Sequence, residues 1–372
     1  MFIEKLSIEH CRIISQLSID LSSNFNLILG PNGSGKTSLL EAISLLATGR
    51  SFRSRSIHSV VQNSRNSTIV HAKLLDCDGY RKSIGVERGK DIQRIRVNNQ
   101  PVYQLSVLAE QLPLQIITPE SINLVMGSPS GRRSFIDWGL FHVEHQFFPL
   151  IKRYKKTINQ RNALLRKGNF SKMEMMFWNQ QLIECGELIT SIRKSYISEI
   201  INLYKIVIAD TVTGLSDLEI EFEYRQGWKS ELSLAEAIDK SLDRERIVGH
   251  TVVGPHEADL LIKCSHGRAK QTLSRGQAKL LSISLFLAQL THLDEIRKKR
   301  AVVLVDDLFS ELDRDNSEMI FYYLLKSNHQ IFATSTDTRI ESVKDGSIKL
   351  FHVEHGEIRE EVLGKSREES LS

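Results

Sequence analysis

The sequence is short of the features that would place it outside an ordinary interior compartment. Of 372 residues only four are cysteine, Cys11, Cys77, Cys185 and Cys264, and they are far apart. No C-x-x-C pair exists, which removes the usual zinc and dithiol motifs and fits a reduced cytoplasmic setting. Glu4 interrupts the N-terminus before an apolar leader core could form, so no signal peptide is expected. The longest uncharged apolar stretch, Leu280 to Thr291, includes Ser282, Ser284 and Gln289 and falls short of the roughly 20 residues of a membrane span. A membrane-bound chain is not expected. Nor does any Asn-Lys dipeptide occur, so the N-K-x-D reader of guanine is missing and a GTPase is disfavoured.

Acid is missing from two long stretches. Between Gln146 and Lys172 stand Lys152, Arg153, Lys155, Lys156, Arg161, Arg166, Lys167 and Lys172 with no carboxylate. From Ala42 to Lys73 only Arg50, Arg53, Arg55, Arg65 and Lys73 carry charge. The C-terminal segment leans acidic, so a net charge of +4 hides two basic regions. Such asymmetry points to a polyanionic partner. Hydrophobic content of 41% and charged content of 25% are those of a globular chain large enough for two or more lobes.

Against that background one stretch stands out, LILGPNGSGKTSLLEA from Leu27 to Ala42. An apolar strand end runs into a glycine-rich turn, and apolar residues then recur at helical spacing through Leu39, Leu40, Ile43 and Leu46. Gly30, Gly33 and Gly35 allow positive φ, which turns backbone N–H groups inward, and the helix start adds its positive end. As G-x-x-x-x-G-K-(S/T), the segment Gly30, Pro31, Asn32, Gly33, Ser34, Gly35, Lys36, Thr37 is built for a triphosphate. Lys36 is expected on the β and γ phosphates, Thr37 on Mg²⁺ and Ser38 on another phosphate oxygen.

AVVLVDD, Ala301 to Asp307, is an apolar strand that ends in two carboxylates. In an open α/β sheet, ligands sit beyond such strand ends. Asp306 is expected to hold Mg²⁺ and Asp307 to orient or deprotonate the attacking water. Upstream, TLSRGQAKLL places Ser274 as the cap of an apolar helix, with Gly276 permitting close backbone approach and Gln277 following.

Strands are expected at Phe2 to Ile8, Leu17 to Leu21, Asn26 to Leu29, Thr68 to Leu75, Ser83 to Glu87, Arg94 to Val97 and Leu114 to Thr118. Two long helices follow, Gln146 to Lys167 and Lys172 to Val212. Phe147, Ile151, Tyr154, Ile158 and Leu165 form a heptad seam broken at Arg161, matched by Trp178, Leu182, Cys185, Ile189, Ile192, Tyr196 and Leu203. The order of phosphate loop, S-R-G-Q helix start and acid-ended strand resembles that of ABC-type ATPases, so the fold class expected is α/β, an ABC-type P-loop ATPase head with an antiparallel β flank and a short antiparallel coiled-coil arm. The boundaries expected are 1–145 and 251–372 for the halves of the head and 146–250 for the arm. Lys152, Arg153, Lys155 and Lys156 on the arm, with Arg50, Arg53 and Arg55, are the expected contacts to the polyanion, acting through its phosphates and with little sequence preference.

Taken together, GPNGSGKTS, GRSFRSR, SPSGRRSFID at Ser128 to Asp137, GPHEADL at Gly254 to Leu260, LSRGQ and DDLFSELD resemble the RecF family of bacterial recombinational-repair ATPases over most of the chain. The resemblance implies a Walker A loop at Gly30 to Ser38, a Walker B end at Asp306 and Asp307, a signature at Ser274 to Gln277 and a D-loop at Ser310 to Asp313. It implies ATP and Mg²⁺ as cofactors and an ATP-dependent head-to-tail homodimer in which Ser274 meets the γ-phosphate held by the other copy. Arg12 matches the arginine of an N-terminal F-R motif, with Cys11 in place of the aromatic, and is assigned to the nucleotide. The resemblance further implies binding to single-stranded and double-stranded DNA and their junctions. Work with RecR and RecO in loading RecA follows from it too, within replication-fork recovery and the SOS response.

Asp307 stands where the wider ABC class has a glutamate, as in similar RecF chains, and its carboxylate is one methylene shorter, so slow turnover is expected. The switch histidine of transporters is replaced by Ser335 or Thr336, and the Q-loop falls near Gln115 or at Pro119 to Ile122. A transporter ATPase would have little use for an acid-free arm. A chromosome-organising clamp would need longer helices than the about 33 Å of the first one. FHVEH occurs at Phe141 to His145 and again at Phe351 to His355, with no evident third ligand for zinc.

Overall fold

The computed structural model describes residues 1–76, 78–211, 215, 218–265, 267–307, 312–336 and 348–361. Its two compact units are Met1–Glu120 with Lys298–Ser372, and Ser121–Arg297. These units do not coincide with the boundaries expected near 145 and 250, and the segment carrying Ser274 groups with the arm.

The first unit opens with a hairpin, β1 (Phe2–Cys11) and β2 (Ile14–Asp20), whose alternation buries Ile3, Leu6, Ile8, Cys11, Ile14, Leu17 and Ile19 on one face. β3 (Phe25–Leu29) is buried at every position and leads into α1 (Lys36–Thr48), which Gly49 ends at φ 68°. β4 (Ser67–Leu75), β5 (Arg81–Gly89), β6 (Gln93–Val97) and β7 (Gln100–Pro101) extend the hairpin into a six-stranded antiparallel sheet of order β2-β1-β4-β5-β6-β7. Asn98 and Asn99, both at positive φ, make its last turn. α2 (Leu105–Gln111) and β8 (Leu114–Ile117) complete this part.

In the second unit, α3 (Asn123–Met126) and α4 (Pro129–Val143) precede the hairpin of α5 (Phe147–Lys167) and α6 (Lys172–Thr211). β9 (Glu221–Arg225), α7 (Leu234–Val248), β10 (Asp259–Cys264), β11 (Gly267–Arg268), α8 (Ala269–Thr272) and α9 (Arg275–Arg297) follow. The three strands form an antiparallel sheet of order β11-β10-β9. The seam of α5 differs from the heptad expected. It buries Phe147, Leu150, Tyr154, Thr157, Arg161 and Leu165, leaving Ile151 and Ile158 half-buried. Arg161 continues the seam instead of breaking it, because Glu245 of α7 meets its guanidinium at 2.7 Å and both side chains are fully enclosed. On α6, Leu182, Cys185, Ile189 and Tyr196 are buried as expected, but Trp178, Ile192 and Leu203 are half-buried while Arg193 and Ile200 take seam positions.

The chain then returns to the first unit with β12 (Val302–Val305), α10 (Arg314–Lys326), β13 (Gln330–Ser335), β14 (Ile348–Glu354) and β15 (Glu357–Glu361). These complete a second six-stranded sheet, β15-β14-β3-β13-β12-β8, parallel except for β15. α1 lies in the core shared by the two sheets, where Leu39, Leu40, Ile43 and Leu46 meet Ile3, Leu6, Val70 and Ile84 from one and Ile28, Leu304 and Phe332 from the other. A helix covered this completely is held by packing, which fixes the direction of its N-terminus.

Candidate nucleotide-binding site

Residues after β3 form the cradle expected of them. Gly33 at φ 80° and Gly35 at φ 118° lie in the region that only glycine enters without strain, and Gly35 caps α1. A side chain at Gly30 would put its Cβ 2.3 Å from the carbonyl oxygen of Val353. Pro31, Asn32 and Gly33 are exposed, whereas Ser34, Lys36 and Ser38 are buried. The Lys36 ammonium donates to the carbonyls of Gly30 at 2.6 Å and Pro31 at 3.0 Å. Burial lowers its pKa, a shift that the charges of Asp307 and Asp306 oppose.

Opposite the cradle, β12 delivers the two acids, and β13 stands between β12 and β3. Asp306 Oδ1 accepts from the Thr37 hydroxyl at 3.1 Å and from the Thr334 hydroxyl at 2.9 Å. The Thr334 oxygen in turn accepts the backbone N–H of Asp307 at 2.8 Å. Asp307 is turned out of the strand at φ 56°. Burial raises the Asp306 pKa, with hydrogen bonds from Thr334 and Thr37 and the charge of Arg53 pulling the other way. The donor set suits a hard cation such as Mg²⁺, an alcohol oxygen and a carboxylate already within hydrogen-bond distance of each other. Thr334 was not legible as a site residue. Its only signal was a hydroxyl beside Ser335, at the end of a strand whose place next to β12 no local pattern reveals.

Arg12, at φ 54° between β1 and β2, forms a bidentate pair with Glu41, Nε to Oε2 at 2.8 Å and Nη2 to Oε1 at 3.0 Å. Glu41 lies on α1, is fully buried, and also accepts from the Ser51 hydroxyl. The Ser51 oxygen then accepts the backbone N–H groups of Arg53 at 3.1 Å and Ser54 at 2.9 Å. One buried carboxylate thus ties α1 to Arg12 and to the segment carrying the exposed Arg50, Arg53 and Arg55. Sequence reading missed Glu41, a lone acid on an apolar helix.

Of the remaining switch and Q-loop candidates, Ser335 is buried at the end of β13 and Thr336 is exposed. Gln115 is buried on β8 with its Oε1 lacking a hydrogen bond among the described residues. Pro119–Ile122 forms a short 3-10 turn. Residues 308–311 and 337 lie outside the described residues, so the D-loop expected at Ser310 to Asp313 is seen only at its end, where Asp313 caps α10 through the Asn316 N–H at 2.8 Å.

In the second unit, Ser274 and Gln277 cap α9 reciprocally. The Ser274 hydroxyl accepts the Gln277 N–H at 3.2 Å and the Gln277 carbonyl oxygen accepts the Ser274 N–H at 3.0 Å. Ser274 is exposed and Gly276 partly so, leaving a helix start open to an anion. Lys152, Arg153, Lys155 and Lys156 are exposed on α5, and Arg153 meets Glu184 at 3.3 Å.

The two other motifs are explained by one another. Arg132 of SPSGRRSFID pairs with Asp259 of GPHEADL at 2.7 Å, and Arg133 donates to the Ala258 carbonyl at 2.6 Å. Asp137 holds Arg193, which also donates to the Pro255 carbonyl at 2.6 Å. His256 Nε2 faces the Thr251 carbonyl at 3.1 Å and Nδ1 faces the Tyr154 hydroxyl at 2.8 Å. A carbonyl can only accept, so Nε2 carries the proton and Nδ1 accepts from Tyr154. Burial lowers the pKa of the ring and so favours this neutral form, and the histidine fastens α5 to the loop. Phe141 and His142 close α4, and His352 pairs with Glu361, so neither FHVEH copy gathers ligands; no metal-binding cluster occurs among the described residues.

A phosphate cradle, an acid-ended strand one place removed in a mainly parallel sheet, and an antiparallel flank define an ATPase head of the ABC/SMC class. The family model described as RecF/RecN/SMC N terminal domain matches residues 2–359. An Smc head bound to the C-winged helix domain of ScpA shares the fold at a TM-score of 0.57 and 15% identity, over 97% of each chain. The DNA replication and repair protein RecF of Vibrio campbellii is 39% identical over 362 residues, 96% of this chain and 100% of the relative. That of Vibrio cholerae is 37% identical over 366 residues, 97% and 100%. The solved recombination mediator protein RecF-ATP of the RecFOR pathway superposes with a TM-score of 0.85 at 25% identity, covering 97% of this chain and 98% of the other. The chain belongs to the RecF family.

Proposed function

We propose that the chain is an ATP-dependent DNA-binding protein of recombinational repair and replication-fork recovery, in which ATP joins two copies head to tail and slow hydrolysis releases them. The observation that carries the nucleotide part is the Thr37–Asp306–Thr334 cluster beside the Lys36 cradle. On ATP binding, Lys36 would exchange the carbonyls of Gly30 and Pro31 for phosphate oxygens. Thr37 and Asp306 would hold Mg²⁺, which would supply charge neutralisation. Asp307 takes the proton of the attacking water, and its short side chain keeps turnover low. Arg12 reaches the nucleotide from its station on Glu41.

The exposed cap at Ser274 supports the dimer, because the Ser274 hydroxyl and the open start of α9 at Gly276 and Gln277 could turn from their reciprocal cap to a γ-phosphate held by a second copy. Exposed cations at Arg50, Arg53, Arg55, Lys152, Arg153, Lys155 and Lys156 support binding to single strands, duplexes and junctions through phosphates. The pathway named for the solved relative supports RecO and RecR as co-workers; loading of RecA in the cytoplasm, and with it the SOS response, is the part of the proposal that rests on family membership alone.

Sedimentation with and without ATP and DNA tests this reading. Wild type should sediment as a dimer with ATP. Lys36→Met should stay monomeric through loss of nucleotide, and Ser274→Arg should bind ATP yet stay monomeric. A Ser274→Arg protein that still dimerises on ATP would overturn the head-to-tail arrangement.

A further inference from the structure

The turn of the helical hairpin exposes more apolar surface than an isolated chain needs. Met173, Met176 and Phe177 are 81%, 61% and 57% exposed. Their spacing of three and four residues sets them on one face of the first turns of α6. Phe170 in the turn lies under the Arg246 guanidinium, 5.7 Å from its ring centre, and Phe177 meets Trp178 edge-on at 5.0 Å. The end of α7 adds Ile247, 86% exposed.

This apolar tip is rimmed by cations. Arg166, Lys167, Lys172, Arg244 and Arg246 are all exposed. Of the acids on the same elements, Glu174 accepts the Ser171 N–H at 2.8 Å, and Asp243 stands exposed 3.9 Å from Arg246. The basic side of α5 leads to the same end, since Lys152 to Lys167 spans about 22 Å of helix. Phosphates suit the rim. Aromatic and thioether faces suit the π faces of bases, and only unpaired nucleotides offer those faces, because a duplex stacks them inside.

We propose that the hairpin tip stacks on unpaired DNA bases through Phe177, Met173 and Met176 while Lys152, Lys155, Lys156, Arg166 and Lys167 hold the phosphates. The arm thereby favours single-stranded segments over closed duplex. This rests on the DNA-binding reading above and adds to it which form of DNA the arm selects.

Fluorescence anisotropy of the full-length chain with labelled oligo-deoxythymidine, and with a blunt duplex, reads the difference. Replacing Met173 and Phe177 together by serine should weaken single-strand binding about tenfold, the loss of one stacked base. Duplex binding should change less than about twofold, and its salt dependence should stay as in wild type, since no phosphate contact is removed. Phe177→Tyr should keep single-strand affinity. A 2-aminopurine in the strand should change emission on binding wild type and not on binding the double variant. Equal losses on strand and duplex would overturn the proposal. So would a double variant that binds single strands like wild type, which would leave the tip to a protein partner. Wild type that binds neither DNA would instead sink the DNA reading itself.

Discussion

Thr334 ties both acidic residues after β12 to the sheet, donating to the carboxylate of Asp306 and accepting from the backbone N–H of Asp307. Thr334→Val keeps the shape and removes both bonds. ATP turnover is expected to fall about tenfold with nucleotide affinity little changed, because the loss falls on alignment of acid and water. Steady-state hydrolysis alongside equilibrium ATP binding checks this, and Thr334→Ser should retain most activity. Asp307→Ala should cost about a hundredfold or more in turnover; an unchanged rate would remove it from the water-activating role. Lys36, Thr37 and Asp306 were legible because each sits in a contiguous motif whose spacing states its chemistry. Thr334 and Glu41 were not, since each acquires its partners only when distant strands and turns meet.

Among the elements, the arm hairpin shows how a polar residue can belong to a seam. Arg161 is enclosed with Glu245 and also donates to Asn179 at 2.7 Å and Thr251 at 2.8 Å. Arg161→Met would strand a buried carboxylate and is expected to destabilise the unit by about 3–5 kcal/mol, while adding Glu245→Leu should recover much of that. Denaturant unfolding of the single and double variants measures both. The existence of the two helices was readable, as were both ends of Phe147–Lys167 to within a residue and the start of Lys172–Thr211, the expected end at Val212 lying outside the described residues. Their inward faces were only partly readable, because α7 and the loop before β10, far along the chain, decide that Arg161 and Arg193 point in.

The same packing governs a pH response. Burial lowers the pKa of His256, against the Thr251 carbonyl and the charges of Glu257 and Glu245, which favour protonation, and with that of Arg133, which opposes it. Below the unfolded value of about 6.5 the unfolded chain binds the proton more readily than the folded one. The stability contributed by neutral His256 is therefore full above that pH and is lost as pH falls towards the folded value. The thermal midpoint should drop on acidification in wild type, and His256→Gln should flatten that slope.

At the scale of the whole molecule, the overall class was legible, since a Walker A loop, a signature and an acid-ended strand in that order define an ABC-type head. The grouping of Ser274 with the arm was not, because it depends on α9 belonging with Ser121–Arg297. The proposed electrostatic binding of DNA makes a further demand on the chain as a whole. Affinity should fall by orders of magnitude between low and physiological salt and vary little with sequence. Titrations at several ionic strengths decide it, and salt-independent binding would contradict phosphate contacts from Arg50, Arg53, Arg55 and the arm.

β3, which feeds the cradle, is flanked by β14 on one edge and β13 on the other. Ile3 likewise finds its partner 327 positions later, in Gln330. A ribosome therefore delivers the phosphate loop long before either neighbour of its strand has been made. Until the last strands emerge, Phe25–Leu29 is an apolar ribbon with two unpaired edges, so the nascent chain cannot bind nucleotide and is open to mispairing. The cradle's strand is therefore completed only once β13 and β14 have been made, and a premature stop before Ile348 removes one of its two neighbours.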